Sequence, residues 1–143
     1  MSKDIIINLR IIVLDIEGTL ISNAVSIFPR HDLFKFLTFL KKKCDEIVIM
    51  TYLDERVFRK ISKILCEEES VPNWFGNLKY IDWKEKSSYK DLRFVSDDIT
   101  NIYIIDDMEN YILPEQKGQW IQIKSFERPY KKDNEFKKIM KML

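Results

Sequence analysis

IIVLDIEGTL, residues Ile11 to Leu20, is an apolar run that stops at the carboxylate of Asp15 and passes through Ile16 and Glu17 into a Gly18-Thr19 turn. Ile5 to Ile7 and Ile11 to Leu14 are continuous rather than alternating, the pattern of a central parallel strand covered on both faces. The first core strand is placed at about Arg10 to Asp15. A carboxylate where a buried strand ends, followed by a turn that frees backbone N–H groups, suits a metal and a phosphoryl group.

Working outward, the same punctuation recurs. After a mixed loop over Ile21 to Phe28, Pro29 stands where a helix can begin, and from Asp32 onward Leu33, Phe34, Phe36, Leu37, Phe39 and Leu40 make a broad apolar face. Lys41, Lys42 and Lys43 then sit favourably at the helix C-terminus. Glu46 to Met50 is a second buried strand, ending at Thr51 as the first ended at Asp15. Asp54 is expected to cap a second helix with Val57, Phe58, Ile61, Ile64 and Leu65 at helical spacing, stopped by Glu67 to Ser70 and Pro72. A short strand is read at Leu78 to Ile81, a short helical segment at Lys90 to Leu92, and a compact strand at Asn101 to Ile105 that runs into Asp106 and Asp107. A turn around Lys117 and Gly118 leads to a strand at Trp120 to Ile123. From Asp133 the tail is an amphipathic closing helix carrying Phe136, Ile139, Met140 and Leu143.

Alternating strands and helices joined by right-handed crossovers predict a three-layer, Rossmann-like α/β fold on a central, mainly parallel sheet. Ligands in such sheets bind at the carboxyl ends of the strands, so Asp15, Thr51 and the Asp106/Asp107 pair should meet at one edge. With 143 residues the chain has room for one core, and one domain spanning 1–143 is expected. Its 24 basic and 23 acidic residues leave a net charge of +1, which gives no global field toward nucleic acid or an anionic membrane. No run reaches the roughly 20 apolar residues of a membrane span, and Cys44 and Cys66 read as reduced thiols packed as small hydrophobes, so a cytoplasmic protein is expected.

The chemistry follows from the residue types. Asp15, Asp106 and Asp107 offer the hard oxygen ligands that Mg²⁺ favours. A carboxylate can also attack phosphorus and split one displacement into two. Thr51 offers a hydroxyl and Lys90 a cation to the phosphoryl group, and Glu17 can protonate the leaving oxygen and then activate water. Plainer readings stand beside these: a strand-end turn at Asp15, capping by Asp106 and Asp107, helix capping by Thr51, and a surface lysine at 90, where Lys84 and Lys86 lie nearby. Tyr52, Trp74 and Trp83 either line the mouth of a site or pack in the core or rim.

DIEGTL at Asp15 to Leu20, IVIMT ending at Thr51, YKDL with Lys90 and IYIIDD ending at Asp107 resemble the four ordered motifs of the haloacid dehalogenase superfamily, over about Ile11 to Phe126. FPRHDLFKFL, EIVIMT, YKDL and IIDDMENYILPEQKGQWIQIKSF further resemble its capless protein-phosphatase branch, related to the small C-terminal-domain phosphatases and NLI-interacting-factor domains. The resemblance implies Asp15 as nucleophile, Mg²⁺ on the Asp15 carboxylate, the Glu17 carbonyl and Asp106 or Asp107, and a phosphoryl group held by Thr51 and Lys90. This chain has Glu17 where the family usually has a second aspartate, though a similar DIEGT occurs in the enolase-phosphatase type. Tyr52 and Leu53 replace the small residues expected after the threonine.

The spacing between motifs leaves little room for a cap, so the site should be open. A phosphorylated protein could then cover it, and Tyr52 is a candidate to contact that substrate. Two other functions are kept: a catalytically weak binding domain, and a small-molecule phosphatase with its lid supplied by an oligomer.

Overall fold

The computed structural model describes residues 8–143, so the Ile5 to Ile7 run lies outside the described residues. Five parallel strands form one sheet in the order β3-β2-β1-β4-β5: β1 is Ile11–Leu14, β2 Glu46–Ile49, β3 Lys79–Tyr80, β4 Ile102–Asp106 and β5 Trp120–Gln122. β1 is central, with Leu14 opposite Ile49 of β2 on one side and Ile105 of β4 on the other. The chain runs outward through β2 and β3, then crosses back to lay β4 on the far side of β1. That reversal puts a crevice between the carboxyl ends of β1 and β4.

Alternate strand residues feed separate cores. Ile12, Leu14, Ile47, Ile49, Ile105 and Ile121 pack beneath the helices, while Ile11, Val13, Val48, Ile102 and Ile104 face the other way. The helical layer consists of α1 (Leu33–Lys43), α2 (Glu55–Glu67) and α3 (Glu135–Met142). α1 buries Leu33, Phe36, Leu37 and Leu40, α2 buries Phe58, Ile61 and Leu65, and α3 buries Phe136 and Ile139. The rings of Phe36 and Phe136 stack with centroids 4.2 Å apart and join the first helix to the last.

The opposite face has no α-helix among the described residues. Trp83, Leu92 and Ile112 cover it from loops and short 3₁₀ turns, including Leu92–Phe94 and Pro114–Gln119. The turn expected at Lys117 and Gly118 is the end of the latter. Near-continuous apolar strands ask only that both faces be covered, so they do not reveal which kind of backbone covers them.

Helix ends differ in detail from the sequence reading. Asp54 occupies the N-cap of α2, but its side chain leaves the helix and pairs with Lys84 at 2.6 Å. α2 stops where Glu69 takes a positive φ of 58° and Ser70 N–H reaches back to the Leu65 carbonyl at 2.8 Å, so unsatisfied carbonyls are closed without glycine. Pro29 does not open α1; it bridges to Ile21, and the helix starts at Leu33. No helix among the described residues is long and apolar enough to cross a membrane.

Candidate active site

The site begins with the backbone of β1. Asp15 N–H donates to the Ile105 carbonyl at 3.2 Å, which ties the first residue past β1 to β4. The chain then closes on itself, with the amides of Thr19, Leu20 and Ile21 all directed at the Ile16 carbonyl at 3.3, 2.9 and 3.2 Å. The amides of Ile16 and Glu17 donate to no acceptor among the described residues. Gly18 has φ of 77°, and a Cβ there would lie 2.5 Å from Asp107 Oδ2. Glycine is required for both reasons: its backbone is left-handed, and the carboxylate from β4 passes directly over it.

Three carboxylates meet here. One oxygen from each of Asp15, Asp106 and Asp107 lies within 4.8 Å of the others. Lys90 Nζ, fully buried, donates to Asp15 Oδ1 at 2.9 Å and to Asp106 Oδ2 at 2.6 Å. Thr19 Oγ1 donates to Asp15 Oδ2 at 2.7 Å and lies 3.2 Å from Asp107 Oδ1. Asp106 Oδ1 accepts the Met108 amide at 2.9 Å, and Asp107 Oδ2 accepts from the Ser125 hydroxyl.

Burial raises the pKa of Asp15 well above the ordinary carboxylate range; Lys90 draws it down again and Asp106 pushes it up. Asp106 is raised for the same first reason, with Lys90 partly offsetting it. For Lys90, burial acts to lower the pKa, but the two carboxylates outweigh it and the net shift is upward. One ammonium therefore serves a cluster with an excess of carboxylate. A hard divalent cation would relieve that excess, and three convergent carboxylates that leave room for water and phosphate are the donor set Mg²⁺ accepts.

Above the cluster lies a cleft of about 420 Å³. Asp15, Gly18, Thr51 and Asp107 line its base, while Lys90 and Asp106 lie beneath it. Thr51 is buried; its Oγ1 accepts the Leu53 amide at 3.2 Å, which leaves its hydroxyl proton to donate into the cleft. Glu17 also lines the cleft, but its Oε2 accepts the Ala24 amide at 2.8 Å.

Tyr52, Met108 and Tyr111 form one wall, with the Tyr52 and Tyr111 rings stacked at 6.2 Å; Phe126, Arg128 and Tyr130 come from the loop after β5. Tyr52 is 58% exposed on the wall of the cleft. Trp83 is not at the mouth: it is buried beneath Tyr52 and donates its indole N–H to the Thr51 carbonyl at 2.9 Å. Trp74 packs under Lys41, whose Nζ is 4.9 Å from the ring. Cys44 and Cys66 are both free.

Several residues here carry no role in the sequence reading. Thr19 lies inside the quoted motif, four residues after Asp15. Ser125 follows β5, so extending the strand-end rule to the last strand would have found it. Arg30 lies in the quoted FPRHDLFKFL stretch without a role in that reading: it is buried and donates to the carbonyls of Gly18, Thr19 and Lys124 at 3.3, 3.2 and 2.6 Å, and to Asp133. It clamps the turn after Asp15 to the exit of β5 and the approach to α3.

The sequence from 10 to 143 matches the family described as NLI interacting factor-like phosphatase. The chain belongs to this family. Membership supports a phosphatase of the haloacid-dehalogenase-like type, in agreement with the parallel sheet and its switch-point crevice. No curated protein matches the sequence. Asp15 and its turn, Thr51, Lys90 and the Asp106/Asp107 pair are all gathered around the end of β1.

Proposed function

We propose that the protein is a Mg²⁺-dependent phosphatase that removes phosphate from a phosphorylated protein through an aspartyl-phosphate on Asp15. The observation that carries this reading is the convergence of Asp15, Asp106, Asp107 and buried Lys90 under an open cleft in a chain of this family.

Asp15, Asp106 and Asp107, with the Glu17 carbonyl, are the groups that would hold Mg²⁺, and the ion when bound supplies positive charge to the phosphoryl oxygens and the attacking carboxylate. A carboxylate oxygen of Asp15 attacks phosphorus, and the bond from phosphorus to the ester oxygen breaks. The leaving oxygen takes its proton from Glu17. Thr51 and the unpartnered amides of Ile16 and Glu17 donate to the phosphoryl oxygens as charge shifts. Lys90 orients Asp15 and balances its charge. In the second half Glu17 takes a proton from water, the water oxygen bonds to phosphorus, and the bond from phosphorus to Asp15 breaks to release phosphate.

A protein substrate is supported by the open cleft. Between Leu20 and Thr51 the chain forms one loop, α1 and β2; between Tyr52 and Lys90 it forms α2, a 3₁₀ turn and β3, so neither interval contains a cap. Tyr52 then meets the substrate flanks. Free cysteines fit a cytoplasmic setting.

A phosphopeptide panel with and without Mg²⁺ tests the reading. Phosphate release that needs Mg²⁺ and is lost in Asp15→Asn is expected; absence of release from every phosphopeptide and from aryl phosphate would overturn it. The bond from Glu17 to the Ala24 amide favours a second reading, a weakly catalytic binding domain. Mg²⁺-dependent phosphopeptide binding without turnover would establish that alternative.

A further inference from the structure

The charge around the cleft is unevenly distributed. At its base Asp15, Glu17, Asp106 and Asp107 face one cation, Lys90, whose ammonium is committed to two of them. Without a divalent ion an anionic substrate meets a field of the wrong sign on the way in, and with one bound and Glu17 carrying its proton the base of the cleft is no more than neutral. The compensating charge is on the loop after β5. Between residues 124 and 132 Lys124, Arg128, Lys131 and Lys132 are exposed, against the single carboxylate of Glu127. None of these four side-chain cations pairs with a carboxylate among the described residues, and Asp133 beyond them is taken by Arg30.

The start and the far end of this loop are anchored to the turn and loop that follow β1. Arg30 holds the Lys124 carbonyl, the Phe126 amide donates to the Gly18 carbonyl at 2.8 Å, and Asn23 donates to the Tyr130 hydroxyl at 3.1 Å. Arg128 lines the catalytic cleft, and a second hollow of about 280 Å³ beside it is lined by Lys124, Arg128, Lys131 and Lys132. Ser125 to Arg128 belong to both, so the basic surface is continuous with the cleft.

We propose that Lys124, Arg128, Lys131 and Lys132 form a docking wall for aspartate and glutamate residues flanking the phosphoresidue of a protein substrate. The proposal rests on the phosphatase reading and adds its substrate class: phosphoproteins with acidic flanks. A peptide segment suits the wall better than nucleic acid or a membrane. The cations occupy one short loop rather than a long track, and the chain as a whole carries a net charge of only +1. Exposed ion pairs are individually weak, so an acidic flank meeting these cations is expected to be worth roughly tenfold in affinity, about 1.4 kcal/mol in all.

The test measures binding separately from turnover. Two phosphoserine peptides, one flanked by Asp and Glu and one by Gln and Ser, are titrated by fluorescence anisotropy against Asp15→Asn protein with Mg²⁺, and against the unaltered chain in chelator. The acidic peptide should bind roughly tenfold tighter, with the advantage shrinking as salt is raised. The joint change Lys131→Glu and Lys132→Glu should remove most of that advantage. Equal affinities, an advantage that survives the charge reversal, or tighter binding to an oligonucleotide or anionic vesicles than to the acidic peptide would overturn the docking wall. Aryl phosphate hydrolysis by the unaltered protein with Mg²⁺ separates the two failures: turnover without flank preference removes only this proposal, and flank preference without turnover removes only the phosphatase.

Discussion

Gly18 shows how closely this site is built at the level of single atoms. Its φ of 77° and the 2.5 Å approach of a would-be Cβ to Asp107 Oδ2 mean that any side chain there both strains the turn and displaces a carboxylate. Gly18→Ala should lower stability by roughly 1–3 kcal/mol in urea unfolding and weaken Mg²⁺ binding in a direct titration. Lys90 poses the converse case. Its Nζ, 2.9 Å from Asp15 and 2.6 Å from Asp106, compensates two carboxylates that have little access to water. Lys90→Met leaves both without a cation, and removing one partner of a buried ion pair costs about 3–5 kcal/mol. Thermal melts should show a large loss that Mg²⁺ partly restores. At this scale Asp15, Thr51, Lys90, Asp106 and Asp107 were legible as strand-end or motif residues. Arg30 was not, because an arginine in a loop reads as exposed until three carbonyls and Asp133 are seen around it.

Between β3 and β4 the elements are short, and their stability depends on polar contacts. The 3₁₀ turn Leu92–Phe94 presents Lys90 to the cluster from its N-terminal side, and Asp91 caps it. The Asp91 carboxylate accepts from the Arg93 amide and guanidinium and from Gln116 Nε2 at 2.9 Å, while Gln116 Oε1 accepts the Leu92 amide at 3.0 Å. The Arg93 hydrogen bond holds the Asp91 pKa at about 2, below the ordinary 3.8, against the opposing effect of burial. Because the folded-state value is depressed, this stabilisation is present in full above the unfolded value and is lost as pH falls from about 4 toward 2.

Asp91→Asn should therefore cost on the order of 1–2 kcal/mol near neutral pH, discounted for the exposed Arg93, and the difference from the unaltered protein should narrow as the pH is taken to about 3 in denaturant melts. The helices were visible in advance because their apolar periodicity is local. The ion pair that draws the Asp54 side chain away from capping α2 was not, because its partner Lys84 is 30 residues away.

For the molecule as a whole, sheet order matters most. The order β3-β2-β1-β4-β5 places the reversal of strand order between β1 and β4, so Asp15 and the Asp106/Asp107 pair face each other across it. Binding of the proposed Mg²⁺ there would be coupled to folding, since the unfolded chain does not hold these carboxylates together. Mg²⁺ at a hundred times its dissociation constant should stabilise the protein by about 2.7 kcal/mol, read as a rise in thermal midpoint. Asp107→Asn should remove most of that rise.

The sequence by itself determined the apolar strands, the carboxylates and threonine at their ends, and the absence of room for a cap, because strand and helix patterns depend on near neighbours along the chain. Only the tertiary structure decided that Lys90 lies beneath the cleft between two aspartates, that 3₁₀ turns form the third layer, and that Arg30 clamps the Gly18-Thr19 turn to the tail. Those outcomes depend on hydrogen bonds and ion pairs between residues far apart in sequence, such as Lys90 and Asp15, separated by 75 positions. Such groups acquire partners only when folding brings the strand ends together and excludes water from around them.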